Sequence, residues 1–325
     1  MALDIERSTT VEPAPASRRS RALWLLFAEE NSAQRAAQVA AALAAAEQGR
    51  LSFDGLFEAR RNDRLVGAAW TQATPGRMAV VWGAQLAGGE PESTALQLHA
   101  AIDDYCRRHE VCFAQALLPL SATLVESRLR ASGYCHAAEI RYLACSLDDE
   151  RPDEPTAAFD DCEKLAPPST ALRFEAYNVD NHDRLAAIVE RTYEQTLDCP
   201  DLNSVRETSD VLEGYRACGS FAPERWMIVQ QDGRDVGCLL LADYPEQDQW
   251  ELVYMGLLPE ARGRRLGLAI TRHAQSMARR ARRGRLVLAV DSANAPALAM
   301  YRAAGLAAWD ERRVFLKIFR PDSRT

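Results

Sequence analysis

The sequence lacks the features that mark membrane and secreted proteins. None of its 325 residues belong to an apolar run of about 18, so no transmembrane helix is expected. The start of the chain, MALDIERSTTVEPAPASRRSR, mixes acids, prolines and arginines without an apolar stretch, which argues against a secretory signal. We therefore expect a cytoplasmic protein with no membrane partner, and a disordered leader over residues 1–20.

Patterns for metal binding and for disulfides are also missing. The eight cysteines contain no C-x-x-C pair and are scattered along the chain (Cys106, Cys112, Cys135, Cys145, Cys162, Cys199, Cys218 and Cys238). The five histidines do not cluster either (His99, His109, His136, His182 and His273). Such cysteine usage in a chain of this size indicates reduced thiols in the cytosol, and no metal site is predicted.

The net charge of −7 argues against general nucleic-acid binding. A basic run, Arg279–Arg283, stands apart from this acidic background. Cations favour the end of a helix, so a solvated helix end is the better interpretation, with a nucleic-acid contact as the alternative.

No G-x-S-x-G motif occurs, so an acyl-enzyme intermediate is not expected.

The chain contains two related halves. Asn62–Gly67 resembles Asp232–Gly237, and Leu129–Tyr134 resembles Tyr301–Leu306, at nearly equal offsets along the sequence. Residues 149–170 between the halves are acidic and rich in proline, which is typical of a linker. We predict two copies of one unit, over residues 21–148 and 171–325.

Both copies predict the same order of strands and helices. In the first, residues 22–27 (ALWLLF) are expected to form the opening strand, and residues 139–147 the closing one. In the second copy, residues 172–177 are expected to form the opening strand and residues 312–319 the closing strand. Each copy therefore predicts a mixed sheet flanked by helices.

The most informative segment is a strand followed by a basic turn and a helix. The strand WELVYMGLL ends at Pro259, and the turn Arg262–Gly267 contains three arginines and two glycines. Ala261–Arg285 holds nine arginines and no acid. Because a helix start offers unpaired N–H groups and partial positive charge, this turn predicts an anion site.

This turn resembles the acetyl-CoA-binding turn of the GNAT acyltransferases, Gln/Arg-x-x-Gly-x-Gly/Ala. Arg262 and Gly267 match its ends, while Arg265 stands at the middle glycine. A second match follows: Asn294, Ala297, Tyr301 and Gly305 have the spacing of the family's N-x-x-A-x-x-x-Y-x-x-x-G helix. The resemblance implies an α+β fold of two tandem GNAT domains, each a mixed, mostly antiparallel sheet flanked by helices. The tandem arrangement and the string ELVYMGLLP are similar to those of mycothiol synthases within the family.

The resemblance also implies which residues act. Those expected to bind acetyl-CoA, the co-substrate, are Met255, Gly256, Leu257, Leu258, Arg262, Gly263, Arg264, Arg265, Leu266, Gly267 and Asn294. Glu251 is expected to be the general base, directly or through a water, since strand alternation predicts that it shares a face with Val253 and Met255. The alternative is a solvent-facing acid. Tyr301 is expected to protonate the CoA sulfur; the alternative is a core tyrosine.

The first copy differs from the second where the resemblance implies chemistry. It has Leu86–Glu92, with two carboxylates and no arginine, at the phosphate turn, and Leu129 at the place of Tyr301. We predict a non-catalytic first domain. The second is expected to be an acetyl-CoA-dependent N-acetyltransferase acting on a small-molecule or peptide amine in a ternary complex, or else a non-catalytic acyl-CoA-binding regulator. Candidate acceptor contacts are Asp198, Asp201, Asn203, Arg206, Asp291 and Ser292; the alternative is that these residues belong to polar loops with no role in binding.

Overall fold

The structure, a computed structural model, describes residues 9–147, 171–200 and 205–319. These residues form two compact units. The first comprises residues up to 137 together with the segment from 312 onward, and the second comprises residues 138–311. The predicted linker, residues 149–170, lies outside the described residues, so the predicted domain boundaries stay a prediction.

The first unit contains a sheet flanked by four helices. Its strands follow the spatial order β1-β2-β3-β4-β5-β12, where β12 (Ala307–Ile318) comes from near the end of the chain. All neighbouring strands in this sheet are antiparallel except β4 and β5. Along the chain its elements are β1 (Thr10–Pro13), α1 (Arg19–Leu26), α2 (Ser32–Glu47), β2 (Leu56–Arg61), β3 (Arg64–Thr74), β4 (Met78–Leu86), α3 (Glu92–Arg108), β5 (Phe113–Pro119) and α4 (Thr123–Ala131).

The second unit repeats this order of elements. Its strands follow the order β6-β11-β10-β9-β8-β7, with β10 and β11 as the parallel pair. The prediction of mixed, mostly antiparallel sheets flanked by helices is confirmed. The elements are β6 (Cys135–Ser146), β7 (Leu172–Ala176), α5 (His182–Thr192), α6 (Thr208–Arg216), β8 (Trp226–Gln231), β9 (Arg234–Tyr244), β10 (Gln249–Leu257), α7 (Leu266–Arg280), β11 (Arg285–Asp291) and α8 (Ala295–Ala303).

The closing strands are exchanged between the two units. Residues 312–318 of β12 pair with β5 in the first unit, where Phe315 is fully buried. Residues 140–146 of β6 pair with β11 in the second unit, where Leu143 enters the core. We expected each strand to close its own copy, and this expectation is wrong. The position of a strand along the chain does not determine which sheet edge it pairs with, because any strand that reaches an edge can form the backbone hydrogen bonds there.

The start of the first unit also differs from expectation. Residues 22–27 lie in α1 and its C-terminal cap, because Ala22, Leu23 and Leu26 are buried at helical spacing. The opening strand is instead β1, whose Thr10–Pro13 pair with Phe57–Arg60 of β2. The prediction of a disordered leader is therefore wrong for residues 9–20, and residues 1–8 lie outside the described residues. A continuous apolar run does not by itself distinguish a strand from a helix.

Candidate functional site

The parallel strands β10 and β11 separate in the middle of the second unit's sheet. They pair only over three residues each, Gln249–Glu251 with Arg285–Val287. Beyond that point β10 continues to Leu257 against β9 alone. The register therefore shows a separation that the sequence alone does not reveal. It creates an opening beside the second half of β10.

A bulge in β10 decides which side chains face each side of the sheet. The register against β9 shifts between Leu252 and Tyr254, so Val253 is the extra residue. Glu251 and Tyr254 lie opposite Ala242 and Leu240 of β9, two positions apart, and therefore share a face. Met255 lies on the other face. The prediction that Glu251 and Met255 share a face is wrong, because strand alternation fails across a bulge.

The backbone of β10 alternates between β9 and the opening. The Leu258 N–H donates to the Val236 carbonyl at 3.0 Å, so the peptide groups of Met255 and Leu257 point away from β9 by antiparallel alternation. Gly256 has a packing role instead. A Cβ atom at Gly256 would lie 2.6 Å from the side chain of Thr192, so only glycine allows α5 this close.

The turn after β10 presents the start of α7. Gly263 and Arg265 both adopt left-handed backbone conformations, with φ of 71° and 61°. This explains why the GNAT pattern has a glycine where this chain has Arg265, since a side chain there is strained. The helix begins at Leu266 with no side-chain cap and no acid in its first turn. The predicted basic helix start is therefore present, with its N–H groups uncapped by side chains.

The three arginines of this turn have different surroundings. Arg262 donates to four backbone carbonyls: Thr192, Glu194 and Gln195 at the end of α5, and Leu257 of β10. Arg264 donates to Gln231 Oε1 at 2.6 Å. Arg265 is exposed and makes no hydrogen bond or ion pair within the described parts of the chain. Arg262 therefore connects the turn to α5 and β10, whereas the guanidinium of Arg265 is available to bind an anion.

Helix α8 places Asn294 and Tyr301 in the second unit. Asn294 caps the helix by accepting a hydrogen bond from the Ala297 N–H at 3.2 Å. Tyr301 is 6% exposed, with its ring in the hydrophobic core. Burial raises the pKa of its hydroxyl, and the charge of Asp198 raises it further. The hydroxyl is therefore protonated throughout the neutral range, as a proton donor must be.

Two aspartates join the loop after α5 to the end of β11. Asp198 Oδ1 accepts from the Asp291 N–H at 2.8 Å, and the Asp291 carboxylate accepts from the N–H groups of Cys199 and Ala293. The ligand atoms of Asp198, Cys199 and Asp291 lie within 4.8 Å of one another. Both oxygens of Asp291 already bind N–H donors, so this cluster acts as a loop anchor.

Other predicted acceptor contacts fall into three groups. The Ser292 hydroxyl donates to Glu311 at 3.2 Å and supports the end of the sheet. Arg206 lies near Asp198, and its charge lowers the pKa of that carboxyl against the larger raising effect of burial. Asp201 and Asn203 lie outside the described residues.

Glu251 occupies a partly buried polar site at the other end of the opening. Burial raises the pKa of its carboxyl, while a hydrogen bond from the Tyr244 hydroxyl opposes that shift. The Cys218 thiol lies close enough for the Glu251 charge to add to the effect of burial, and its pKa is raised to about 11. Glu251 pairs with Val287, four residues before Asp291, which corresponds to about 13 Å along the strand. Glu251 and the Asp198–Tyr301 pair therefore lie at opposite ends of the opening.

A tyrosine cluster on the Glu251 face was not predicted from the sequence. Tyr215 stacks on Tyr254 with ring centroids 5.2 Å apart, and its hydroxyl lies 2.8 Å from that of Tyr193. The Tyr254 hydroxyl lies 2.7 Å from Thr192 Oγ1. These tyrosines come from α6, the end of α5 and β10, so no local pattern reveals that they meet.

In the first unit the corresponding opening is filled by its own side chains. Strands β4 and β5 pair over Met78–Val80 and Phe113–Gln115 and then separate. The Ala84 N–H donates to His99 Nε2 at 3.2 Å, and the Ala84 carbonyl accepts from Arg128 at 3.2 Å. A Cβ atom at Gly83 would lie 2.6 Å from Val125, so α4 packs directly on the strand. The N–H and carbonyl of Ala84, which correspond to those of Met255 in the second unit, are therefore already paired here.

Comparison with known proteins agrees with this architecture. Residues 189–306 match the family model described as acetyltransferase (GNAT) family. A GCN5-related N-acetyltransferase from Sphaerobacter thermophilus shares 17% identity and a TM-score of 0.59, with 96% of each chain covered. No curated protein matches the sequence.

A second solved structure belongs to a fungal multi-domain β-N-acetylglucosaminidase with a GCN5-related glucosamine N-acetyltransferase region. It shares 14% identity and a TM-score of 0.61, and the match covers 96% of this chain but 38% of the fungal one. At these identities the structures establish the fold. The chain has the fold of the GNAT acetyltransferases, and its match to their family model lies within the second unit.

Proposed function

We propose that the second unit is an acetyl-CoA-dependent N-acetyltransferase that acetylates an amine of a small molecule or peptide. The observation that carries this proposal is the separation of β10 from β11 directly before the uncapped start of α7. An opening beside β10 suits an extended thioester chain, and the helix start suits the phosphates at its other end.

Two sets of groups would hold acetyl-CoA. The first-turn N–H groups of α7 and the guanidinium of Arg265 would bind the pyrophosphate. The N–H groups of Met255 and Leu257 would bind the pantetheine arm and the thioester carbonyl. Arg262, which we first expected to bind phosphate, would instead hold the turn in place through its four carbonyl partners.

The chemistry that we propose depends on the protonation states of Glu251, which is partly buried, and Tyr301, which is buried. Glu251, directly or through a water, would accept a proton from the ammonium of the acceptor. The neutral amine would attack the thioester carbonyl, the carbon–sulfur bond would break, and Tyr301 would donate a proton to the departing sulfur. The proton lost by the positively charged nitrogen of the intermediate would pass through solvent and restore the Tyr301 hydroxyl. Both substrates are present together, so no acyl-enzyme forms.

The alternative is a regulator that binds acyl-CoA without chemistry. The observation in its favour is the distance along the sheet between Glu251 and the end of β11, where Asp198 and Tyr301 lie. Measurement of thiol release from acetyl-CoA with a panel of amines separates the two functions. Acetyl-CoA binding without amine-dependent thiol release would identify the regulator.

Paired substitutions at Gly267 test the binding site itself. A Cβ atom there meets only the methionine side chains of Met300 and Met255, at 3.5 Å or more, so small side chains fit. Gly267→Asp places negative charge against the pyrophosphate, while Gly267→Asn has the same shape without charge. We expect calorimetry to show acetyl-CoA affinity about tenfold or more weaker for the Asp variant than for the Asn variant. Equal affinities would remove the α7 start from the site.

A further inference from the structure

A cavity of about 460 Å³ in the first unit is lined by an unusual number of arginines. It lies between α1, the start of α2 and the turn from β2 to β3. We call it the arginine cavity, after its five guanidinium-bearing residues: Arg18, Arg21, Arg35, Arg60 and Arg64. This concentration of positive charge contrasts with the net charge of −7 of the whole protein.

Only part of this charge is neutralised locally. Arg18 is engaged by Glu58, which is 1% exposed, and by Glu12. Arg60 lies 3.7 Å from the exposed carboxylate of Asp63. The guanidinium groups of Arg21 and Arg64 form no hydrogen bond or ion pair with any residue that the structure describes. The cavity therefore retains an excess of cationic donors.

The guanidinium of Arg35 is fixed in orientation by Trp24. Its guanidinium lies over the Trp24 ring, 4.5 Å from the centroid, and its Nε–H donates to the Trp24 carbonyl. The two terminal nitrogens have no partner within the described residues. Because the stacking fixes the plane of the guanidinium, little conformational freedom remains to be lost when an anion binds.

The cavity also has an apolar wall. Trp24, Leu25 and Leu65 line it beside the arginines, and Trp24 is 42% exposed. Its volume lies within the range of small-molecule sites, about 300–1,000 Å³. A ligand with both anionic groups and an apolar body matches such a wall better than an inorganic ion does.

The corresponding positions of the second unit carry less positive charge. Asp235 stands where the first unit has Leu65, and Gln230 stands where it has Arg60. Asp235 and Glu175 together neutralise Arg184 there. Arg234 stands where the first unit has Arg64, so the second unit keeps this arginine but places the carboxylates of Asp235 and Glu175 beside Arg184.

We propose that the arginine cavity binds a small organic anion that carries two or more phosphate or carboxylate groups and an apolar body. The site is separate from the start of α7 and does not depend on the proposed acetyltransferase function. Arg21, Arg35 and Arg64 supply the donors, and Trp24 with Leu65 contacts the body of the ligand.

Calorimetry on the full chain tests this proposal with defined probes. Pyrophosphate and citrate distinguish phosphate from carboxylate, and phenyl phosphate against inorganic phosphate tests the apolar wall. The titrations are made on the original chain and on the Gly267→Asp variant, whose α7 start disfavours phosphate groups, so that anion binding at the arginine cavity is distinguished from binding at α7. We expect at least one of pyrophosphate and citrate to bind, with an affinity that falls as salt is added, and phenyl phosphate to bind more tightly than phosphate.

A double variant locates the binding. Arg21→Ser with Arg64→Ser should weaken the bound anion about tenfold or more, since each arginine removed is a charge-assisted donor. Arg107→Ser with Arg108→Ser, two exposed arginines of α3, is the control with the same change in net charge, and its affinity should stay within about twofold of the original. These arginines are exposed, so the variants should fold, which thermal melting verifies.

Two results would overturn the proposal. The first is that neither pyrophosphate nor citrate binds at millimolar concentration. The second is that the double variant and its control lose anion affinity to the same extent. Acetyl-CoA titration of the same proteins keeps the two proposals apart. Anion binding that depends on Arg21 and Arg64, in a chain that does not bind acetyl-CoA, would overturn the acetyltransferase alone.

Discussion

At the scale of single residues, Glu251 is distinguished by the burial of its carboxyl group. Burial raises its pKa above the ordinary value of 4.5, so the proposed base should begin to lose activity at a higher pH than a solvated glutamate would. We expect Glu251→Gln to lower turnover by about 100- to 10,000-fold. The acidic fall in kcat/KM should also disappear from its pH profile.

The same shift predicts the sign of the effect of Glu251 on stability. The folded protein binds this proton more tightly than the unfolded chain does, so the contribution of Glu251 is lost as pH rises through its folded pKa. At neutral pH, Glu251→Gln should therefore not lower the melting temperature. A folded variant with full activity would exclude Glu251 as the base, and a variant that unfolds would show a structural role.

Arg262 and Arg265 are close in sequence but should differ in their effects. Arg262→Gln breaks charge-assisted bonds to four carbonyls, and we expect the free energy of unfolding to fall by about 2–4 kcal/mol. Arg265→Gln should change stability by less than about 0.5 kcal/mol and weaken acetyl-CoA binding about tenfold. Denaturant unfolding and calorimetry measure the two effects. Equal stability losses in the two variants would contradict the assigned roles.

At the scale of secondary structure, α4 of the first unit should act only through packing. Leu129 is fully buried at the position that corresponds to Tyr301. Leu129→Ala should lower the free energy of unfolding by about 2–5 kcal/mol, through the cavity that it leaves. Turnover, measured well below the melting temperature, should be retained, whereas Tyr301→Phe should lose turnover and keep its affinity for acetyl-CoA.

The filled opening of the first unit also predicts the number of cofactors bound. Because His99 and Arg128 already pair with the backbone of Ala84, we expect one tight coenzyme A per chain. Glu92 adds negative charge at the position of the phosphate turn; its pKa is lowered chiefly by the hydrogen bond from Arg128, so it is ionised at neutral pH. A titration that gives two equivalent tight sites would contradict this expectation.

At the scale of the whole molecule, the exchanged strands determine which fragments can fold. A fragment of residues 171–325 would lack Leu143 and Leu147, which belong to the second core, and would retain all of β12 without its partner β5. We expect it to unfold at a lower temperature than a fragment of residues 138–311, which holds the complete second unit. Thermal melting with acetyl-CoA titration compares them. A fragment 171–325 that is the more stable would contradict the role of the exchange.

Much of the architecture could be predicted from local patterns. The repeated hairpin and helix-end motifs indicated two related units, and the spacing of Asn294 and Tyr301 identified α8 with its cap. The arginine-rich turn was correctly placed at a helix start. These features depend on residues within a few turns of one another, where backbone preferences and side-chain spacing act directly.

The tertiary structure decided what depends on distant partners. The extra residue Val253 moved Glu251 to the face opposite Met255, and strand periodicity cannot report a bulge that arises from pairing with β9. The carbonyls that engage Arg262 come from the end of α5, about 70 residues earlier in the chain. The exchange of β6 and β12 arises because β6 pairs with β11 of the second unit and β12 pairs with β5 of the first unit. Backbone hydrogen bonds at such an edge accept any strand of suitable length and pattern, so only the folded chain determines which one pairs there.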